Sequence, residues 1–319
     1  MMARPLCKQA LTCIIKISMI KKLIVAVAAV LVIIIIGLAM WLLTGSNIAV
    51  LNPKGAIAAQ ERDLILFTVL LSLIIVIPVF FLTFMIAWKY RASNKKAKYT
   101  PDWDGNKWIE TIWWGIPCAI IVVLGIVTWQ TTHKLDPYRA LSSNVKPLTI
   151  QVVALQWKWL FIYPEQRIAS VNEVRLPVKT PINFVITADA PMNSFWIPNL
   201  GGQVYAMNGM STKLHLIADT PGDYPGSSAN ISGKGFAKMT FTAKATTIED
   251  FNAWVVSSKL SPDTLDSATY AELAKPGQAK TPLTYSLSDT HLYDQVIMKY
   301  MAPMDDHTKH GGHGEMKGI

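Results

Sequence analysis

The most informative stretch of this sequence is Ser-Ala-Asn-Ile-Ser-Gly-Lys-Gly-Phe-Ala-Lys-Met, at residues 228–239. It belongs with Pro-Met-Asn-Ser-Phe-Trp-Ile-Pro, at residues 191–198. Their polar side chains are mostly hydroxyls and amides, and Met239 supplies a thioether. Thiolates and imidazoles hold copper well, whereas hydroxyls, amides and phenyl rings are poor ligands. Taken alone, the Gly- and Ser-rich stretch also fits a plain hairpin loop between two strands.

The spacing of these residues resembles the binuclear-copper loop in subunit II of the haem-copper respiratory oxidases. That loop reads Cys-x-Glu-x-Cys-Gly-x-x-His-x-x-Met, and a distant His completes the site. In the order distant His, first Cys, Glu, second Cys, loop His and Met, the corresponding residues here are Asn193, Ser228, Asn230, Ser232, Phe236 and Met239. Only the methionine keeps the family identity, so the resemblance implies vestigial copper-site positions and no bound metal.

Loss of the copper ligands within a retained frame resembles the quinol-oxidase branch, the bo-type ubiquinol oxidases. The resemblance implies a proton-pumping complex that oxidises ubiquinol and reduces oxygen to water. It implies that the haems and remaining copper belong to subunit I, and that this chain carries no cofactor and no catalytic residue. The implied partners are haem-bearing subunit I, further membrane subunits and membrane lipid. Cytochrome c is not among them, since no copper relay is needed.

The composition points to a membrane protein. Of 319 residues, 51% are hydrophobic and 16% are charged, against about a quarter charged in soluble domains. Residues 1–133 contain 13 Lys and Arg against 5 Asp and Glu, whereas residues 134–319 contain 17 against 16. Most of the basic residues that produce the net charge of +9 therefore flank the apolar segments, and this distribution does not indicate nucleic-acid binding. All three cysteines precede residue 134, which excludes an internal disulfide in the C-terminal part.

Three apolar segments, at 23–43, 64–88 and 111–132, are long enough to span a bilayer. The sequence predicts a signal anchor or signal peptide at 1–45 and a transmembrane hairpin at 46–133. Leu-Thr-Gly-Ser at 43–46 resembles a lipoprotein cleavage box, but Ser46 replaces the Cys that would carry the lipid. We therefore expect no lipid attachment and favour an uncleaved anchor.

Loop charges predict the orientation of the hairpin. Residues 89–107 contain six Lys and Arg against two Asp, whereas residues 44–63 are balanced. The positive-inside rule places the basic loop in the cytoplasm. The expected location is the bacterial inner membrane, with the C-terminal part in the periplasm.

Residues 134–245 predict an all-β domain, because eight short runs rich in β-branched and aromatic residues alternate with turn residues. The expected strands are 148–153, 157–163, 171–176, 182–188, 194–197, 203–206, 213–217 and 235–243. The resemblance narrows this domain to a cupredoxin-like Greek-key β-barrel. Residues 246–300 predict an aromatic-rich helical extension, with helices at 247–260, 263–275 and 288–300. Residues 301–319 form a predicted disordered tail that contains His307, His310 and His313.

Glu110 is the candidate for a role in proton uptake. It lies at the predicted cytoplasmic mouth of the third apolar segment. In the family that this chain resembles, a subunit II carboxylate at this position stands at a proton inlet of subunit I. An acid near a helix N-terminus at the interface remains ionised and collects protons. The alternative is an acid that only stabilises the helix start.

Trp157 and Trp159 match the Gln-Trp-aromatic-Trp strand through which cytochrome-c oxidases receive electrons. Without copper, these rings are expected to be packing aromatics. His133 and His215 are isolated in the sequence, and neither is assigned a role. Two other functions stay open at this point: a copper-bearing electron carrier of cytochrome-c oxidase, and a membrane-tethered cupredoxin-like module outside any oxidase.

Overall fold

The computed structural model describes residues 48–98, 100–101, 103–279 and 281–301. The apolar segment at 23–43, Ser46 and the three tail histidines lie outside the described residues. The chain divides into two compact units, Met1–Asn52 and Pro53–Ile319. In the described part of the first unit, Ala49–Leu51 forms a short 3-10 helix.

Two long helices confirm the apolar segments predicted at 64–88 and 111–132. Helix α1 is Ala56–Lys89 and helix α2 is Lys107–Lys134. The 34 residues of α1 span about 51 Å at about 1.5 Å per residue, more than a hydrocarbon core of about 30 Å. Their most apolar windows are not buried within the protein, so these side chains are available to lipid or to other subunits.

The described strands form two sheets, which confirms the predicted all-β domain. In chain order the strands are β1 Leu148–Leu155, β2 Lys158–Tyr163, β3 Ile168–Val171, β4 Glu173–Pro177, β5 Ile182–Ala188, β6 Asn193–Trp196, β7 Gln203–Ala206, β8 Thr212–Leu216, β9 Gly222–Ser228, β10 Thr240–Thr246, β11 Thr264–Leu265 and β12 Leu283–Leu287. The first sheet has the order β11-β12-β3-β2-β1-β5-β8, and the second has the order β4-β10-β9-β6-β7. Strand β1 runs parallel to β5, and β10 runs parallel to β4.

Three short helices follow: α3 Ile248–Lys259, α4 Ser267–Ala274 and α5 Leu292–Met298. Each lies within a predicted helix, although α4 and α5 are shorter than expected. Residues 264–265, predicted as helix, form β11 instead. The Thr247 side chain accepts the backbone N–H of Asp250 and so caps α3, as its position in the sequence predicts.

Several predicted strand boundaries are wrong, for local reasons. The run expected at 171–176 is split at Asn172, whose positive φ of 58° separates β3, in the first sheet, from β4, in the second sheet. The strand expected from residue 235 begins only at Thr240, because Phe236–Lys238 forms a 3-10 turn. Strand β9, Gly-Asp-Tyr-Pro-Gly-Ser-Ser, was not predicted, since its residues favour turns. Pairing with β10 holds it extended.

Aromatic rings fill the space between the two sheets. Trp159 of β2 packs edge-on against Phe195 of β6 at 5.4 Å, and Phe195 stacks on Phe241 of β10 at 5.1 Å. Helix α3 adds Trp254, which meets Tyr163 at 5.3 Å. Such pairs contribute about 0.5–1.5 kcal/mol each beyond their area burial. The core therefore joins both sheets to the first helix of the extension.

The first sheet is buried on both of its faces. Along β2, Trp159 and Phe161 face the second sheet, whereas Leu160 and Ile162 belong to a separate apolar cluster on the other side. That second cluster includes buried residues of the extension, namely Leu265, Tyr270, Leu273, Leu287, Leu292, Tyr293 and Val296. The buried aromatics of the extension are core residues, as expected from the sequence.

A buried carboxylate fastens the extension to the β-domain. Asp189 follows β5, and its side chain is 1% exposed. It accepts hydrogen bonds from Tyr270 Oη at 2.8 Å, from Lys299 Nζ at 2.8 Å and from Tyr300 Oη. Burial by itself raises the pKa of Asp189, but the bonds from Lys299, Tyr300 and Tyr270 outweigh it, so its pKa lies below the ordinary value.

Replacing Asp189 by Asn should lower the free energy of unfolding by about 2–3 kcal/mol, because the charge-assisted bonds to Lys299 and two tyrosines are weakened. The depressed pKa of the Asp189 carboxyl stabilises the folded state above its unfolded pKa of about 4. That contribution is lost as the pH falls through the folded value. Thermal unfolding of the full chain in detergent, followed by tryptophan fluorescence, measures both effects.

The matched control is Asp294→Asn, on the exposed surface of α5. It should unfold like the parent protein. The role of Asp189 would be contradicted if the two variants had equal melting temperatures, or if Asp189→Asn kept the parent's loss of stability in acid.

Candidate functional site

The site predicted from the sequence lies where two strands of the second sheet end. Asn193 begins β6 and Ser228 ends β9, and these strands pair antiparallel with Phe195 opposite Ser228. Asn193 is 1% exposed and Ser228 is buried as well. The backbone carries Asn230, Ser232, Phe236 and Met239 along the loop that leads from β9 to β10.

Hydrogen bonds join three of the predicted positions. Ser228 Oγ donates to Asn193 Oδ1 at 2.9 Å, and Asn193 Nδ2 donates to the carbonyl of Pro191 at 2.6 Å. Asn230 Nδ2 donates to the carbonyl of Met192 at 2.9 Å. The bonds from Ser228 and Asn230 join the loop after β9 to the segment at the start of β6. The bond from Asn193 to Pro191 fixes the conformation of that segment.

The other three positions lie on the same loop without joining this network through their side chains. The carbonyl of Ser232 accepts Trp157 Nε1 at 3.2 Å. Phe236 is half-buried on the 3-10 turn. Met239 is 1% exposed within the core between the sheets, and its carbonyl accepts the backbone N–H of Ser228 at 3.3 Å.

Trp157 covers the loop from outside. Its φ of 70° lies in the left-handed region, and its indole lies against Gly235, where an added Cβ would be 2.2 Å from the ring. Only glycine fits beneath that ring. Trp159, two residues on, is fully buried in the core. The predicted packing role is confirmed for Trp159, and the half-buried Trp157 packs against the loop.

The residues of the pocket do not fit copper. The side chains at the six predicted positions offer two hydroxyls, two amides and a phenyl ring, and their only soft donor is the thioether of Met239. Copper sites of this class need thiolate and imidazole ligands. Over the residues that the structure describes, there is no cluster of three or more His, Cys, Asp or Glu that could hold a metal ion. No chemical step through copper is derived for this pocket.

Two hydroxyls of the pocket are buried without a hydrogen-bond partner among the described residues. They are Ser232 Oγ and Ser194 Oγ. Burial of a polar atom without a hydrogen-bond partner costs about 1–3 kcal/mol relative to its exposure to water. The pocket therefore contains both a well-paired serine, Ser228, and an unpaired one, Ser232, at the two positions aligned with the bridging cysteines.

Glu110 lies far from this pocket. It occupies the first turn of α2, where its N–H bonds the carbonyl of Asn106 at 2.9 Å and the Asn106 side chain caps the helix. It is exposed, and its carboxylate lies over Gly105, where an added Cβ would be 2.8 Å from Oε1. The 24 residues from Glu110 to Lys134 span about 36 Å of helix. Glu110 is thus at the end of the hairpin opposite the β-domain.

A joint between the hairpin and the β-domain was not predicted from the sequence. Glu61 Oε1 accepts the N–H of Gly202 at 2.9 Å, and the N–H of Ala58 donates to the carbonyl of Leu200 at 3.2 Å. Gly201 has a φ of 89°, and an added Cβ there would be 2.7 Å from the nitrogen of Ala58. The adjacent glycine pair was the available signal, because paired glycines often mark close backbone approach.

Two family models match the chain. One is described as cytochrome c oxidase subunit II, periplasmic domain, and covers residues 165–246. The other is described as the COX aromatic rich motif and covers residues 259–304.

Similar proteins extend the match over most of the chain. The cytochrome bo(3) ubiquinol oxidase subunit 2 of Pseudomonas aeruginosa is 51% identical over 87% of this chain and 83% of its own length. The protein of the same name from Pseudomonas putida is 54% identical over 82% of this chain and 84% of its own length. A solved periplasmic domain of cytochrome oxidase subunit II from Bradyrhizobium japonicum is 23% identical over 38% of this chain and 98% of its own, with a TM-score of 0.36.

The two serines of the pocket should respond differently to removal of the hydroxyl. Ser228→Ala should lower the free energy of unfolding by about 1–3 kcal/mol, because Asn193 Oδ1 then stays buried without its donor. Ser232→Ala is the matched control and should leave stability unchanged or slightly raised, since its hydroxyl has no partner among the described residues. Chemical denaturation of the full chain in detergent measures both. Equal losses would contradict the assignment.

Proposed function

This chain belongs to the family of ubiquinol oxidase subunits 2, and from that premise we propose that it is a non-catalytic subunit of a terminal ubiquinol oxidase. The complex oxidises ubiquinol and reduces oxygen to water with proton translocation. This chain anchors and caps the complex. The haems, the remaining copper and the quinol chemistry belong to subunit I and further membrane subunits.

One observation carries the proposal. The pocket frame of an oxidase subunit II is retained, but its copper-ligand positions are filled by side chains that hydrogen-bond to one another and to nearby carbonyls. Such a pocket holds the loop without a metal, and it offers no soft donors for an electron relay. We infer that the positions aligned with the copper ligands, Asn193, Ser228, Asn230, Ser232, Phe236 and Met239, are vestigial.

The domain organisation fits this role. We propose a signal anchor or signal peptide at 1–45, a transmembrane hairpin at 46–133, a cupredoxin-like periplasmic domain at 134–245, an aromatic-rich extension at 246–300 and a tail at 301–319. The apolar surfaces of α1 and α2 support membrane anchoring. The basic loop between them supports a cytoplasmic hairpin turn, and so a bacterial inner membrane with the β-domain in the periplasm.

Glu110 is proposed as a collector of protons at an inlet of subunit I. Three features support this role: exposure, a place in the first turn of α2, and separation from the pocket by most of the membrane thickness. The positive end of the helix dipole favours a carboxylate there. The competing role, stabilisation of the helix start, predicts an effect on folding and none on proton uptake.

Gentle detergent purification of the tagged full chain tests the subunit assignment. A haem-bearing membrane subunit should be recovered with it, and the preparation should show haem absorbance and quinol-dependent oxygen consumption. An unrelated tagged two-helix membrane protein is the control. Recovery of the chain without haem would favour a membrane-tethered module outside any oxidase, and copper bound to this chain itself would favour an electron carrier.

Substitution of Glu110 tests the proton role separately. Glu110→Ala should slow quinol-dependent oxygen consumption several-fold, and Glu110→Asp should slow it less, because the aspartate keeps a carboxylate near the inlet. Asp104→Asn, at an exposed acid in the loop just before α2, is the matched control and should leave turnover unchanged. Equal turnover in all three variants, with normal haem content, would remove Glu110 from proton uptake.

A further inference from the structure

Two adjoining cavities lie where the hairpin meets the β-domain. The first, the head cavity, has a volume of about 190 Å³, and its polar lining includes Gln60, Lys134, Arg139, Ser142 and His215. The second, the acyl groove, has a volume of about 350 Å³ and runs between α1 and α2. Gln60, Lys134 and Leu135 line both, so the two spaces are continuous.

The acyl groove has apolar walls from both helices. Leu64 and Phe67 line it from α1, and Val127 and Thr131 line it from α2. The hydroxyl of Thr131 donates to the carbonyl of Val127 at 2.8 Å, so it presents no free donor to the groove. Spacings of three and four residues place each pair on one helix face. The groove is therefore a hydrocarbon surface that leads into a polar end.

The polar end is lined by two cations, Lys134 and Arg139, and one acid, Asp136. Among the described residues, the Lys134 ammonium has no hydrogen-bond or ion-pair partner, and Arg139 donates only to the carbonyl of His133 at 3.4 Å. Of the two lining acids, only Asp136 adds a negative charge to the head cavity, so Lys134 and Arg139 leave its lining with an excess of positive charge. Asp136 accepts the N–H of Tyr138 at 2.9 Å, and Asp63 is paired with Arg62 at 2.7 Å.

His215 adds an imidazole to the polar lining of the head cavity. Its Nδ1 lies 2.9 Å from the carbonyl of Pro137, which can only accept a hydrogen bond. Nδ1 therefore carries a proton, and Nε2 has no partner in the described part of the chain. The head cavity thus combines a net positive charge with polar groups that suit the oxygens of a phosphate and glycerol.

We propose that this chain holds one glycerophospholipid, with its phosphate in the head cavity between Lys134 and Arg139 and an acyl chain in the acyl groove. Charge-assisted bonds from ammonium and guanidinium groups match a phosphodiester. Lys134 ends α2, so the cavity lies at the level of the lipid headgroups on the β-domain side. An uncharged prenylated quinol would use the groove but leave both cations unpaired. Free phosphate would use the cavity and leave the groove empty.

Native mass spectrometry of the full chain, purified in mild detergent with whatever subunits it retains, tests the proposal. After delipidation, the chain is titrated with phosphatidylglycerol, with diacylglycerol of the same acyl chains, and with glycerol phosphate. We expect one phosphatidylglycerol per chain to bind, and the other two to bind far more weakly. Lys134→Gln with Arg139→Gln should weaken phosphatidylglycerol binding about 30-fold, which corresponds to about 2 kcal/mol, or about 1 kcal/mol for each cation.

Matched variants separate the head cavity from the acyl groove. Lys95→Gln with Lys96→Gln removes the same charge from the opposite end of the hairpin and should not change binding. Val127→Trp fills the groove and should abolish retention, whereas Ile126→Trp, on the neighbouring exposed position, should not. Melting temperatures equal to the parent's show that each variant is folded.

Three results would overturn the proposal. The first is equal retention of diacylglycerol and phosphatidylglycerol, and the second is glycerol phosphate bound as tightly as the lipid. The third is a copurified quinone in the groove that Val127→Trp displaces while Lys134→Gln with Arg139→Gln does not. Failure of the subunit assignment leaves this test intact, because it measures a property of the chain itself.

Discussion

Burial of the first sheet on both faces is the constraint on which the rest of the structure depends. A strand with apolar side chains on both sides is unstable in water unless both sides are covered. The second sheet and α3 cover one face, and the aromatic-rich extension covers the other. The extension is therefore part of the folding unit of the β-domain. Asp189 fixes the position of the extension on the sheet. Its carboxylate accepts hydrogen bonds from Tyr270, Lys299 and Tyr300, which all belong to the extension.

The same rigid core explains how the pocket keeps its shape through hydrogen bonds. The strands that carry Asn193 and Ser228 are held by rings packed between the sheets, so the loop ends do not depend on a ligand. Hydrogen bonds then fix the loop ends to each other. Each contributes only about 0.5–1.5 kcal/mol net, which suffices because the scaffold already brings the partners together. The Ser232 hydroxyl has no partner among the described residues and takes no part in this bonding.

The joint at Glu61, Ala58, Gly201 and Gly202 sets the β-domain on the hairpin through close backbone contact. Close contact requires residues without a Cβ, since a side chain at Gly201 would collide with the helix. The joint also brings the polar ends of α1 and α2 against the segment after α2, which creates the head cavity. Glu110 lies at the other end of the same hairpin and is connected to the joint and the head cavity only through helix α2. The two ends of the hairpin are thus suited to separate tasks.

The sequence alone gives the two membrane helices, the all-β class, the capped helix α3 and the family pocket, because these depend on length, period and local spacing. It does not give β9, whose Gly, Pro and Asp residues favour turns until β10 pairs with them. Nor does it give the partners of Asp189 or Glu61, because residues 81 and 141 positions apart meet only in the folded chain. The spacing around Ser228 and Asn193 identifies the pocket. Only the packing of β6 against β9 reveals that one serine is bonded and the other is not, because hydrogen bonding depends on distances of a few tenths of an ångström that residue order does not encode.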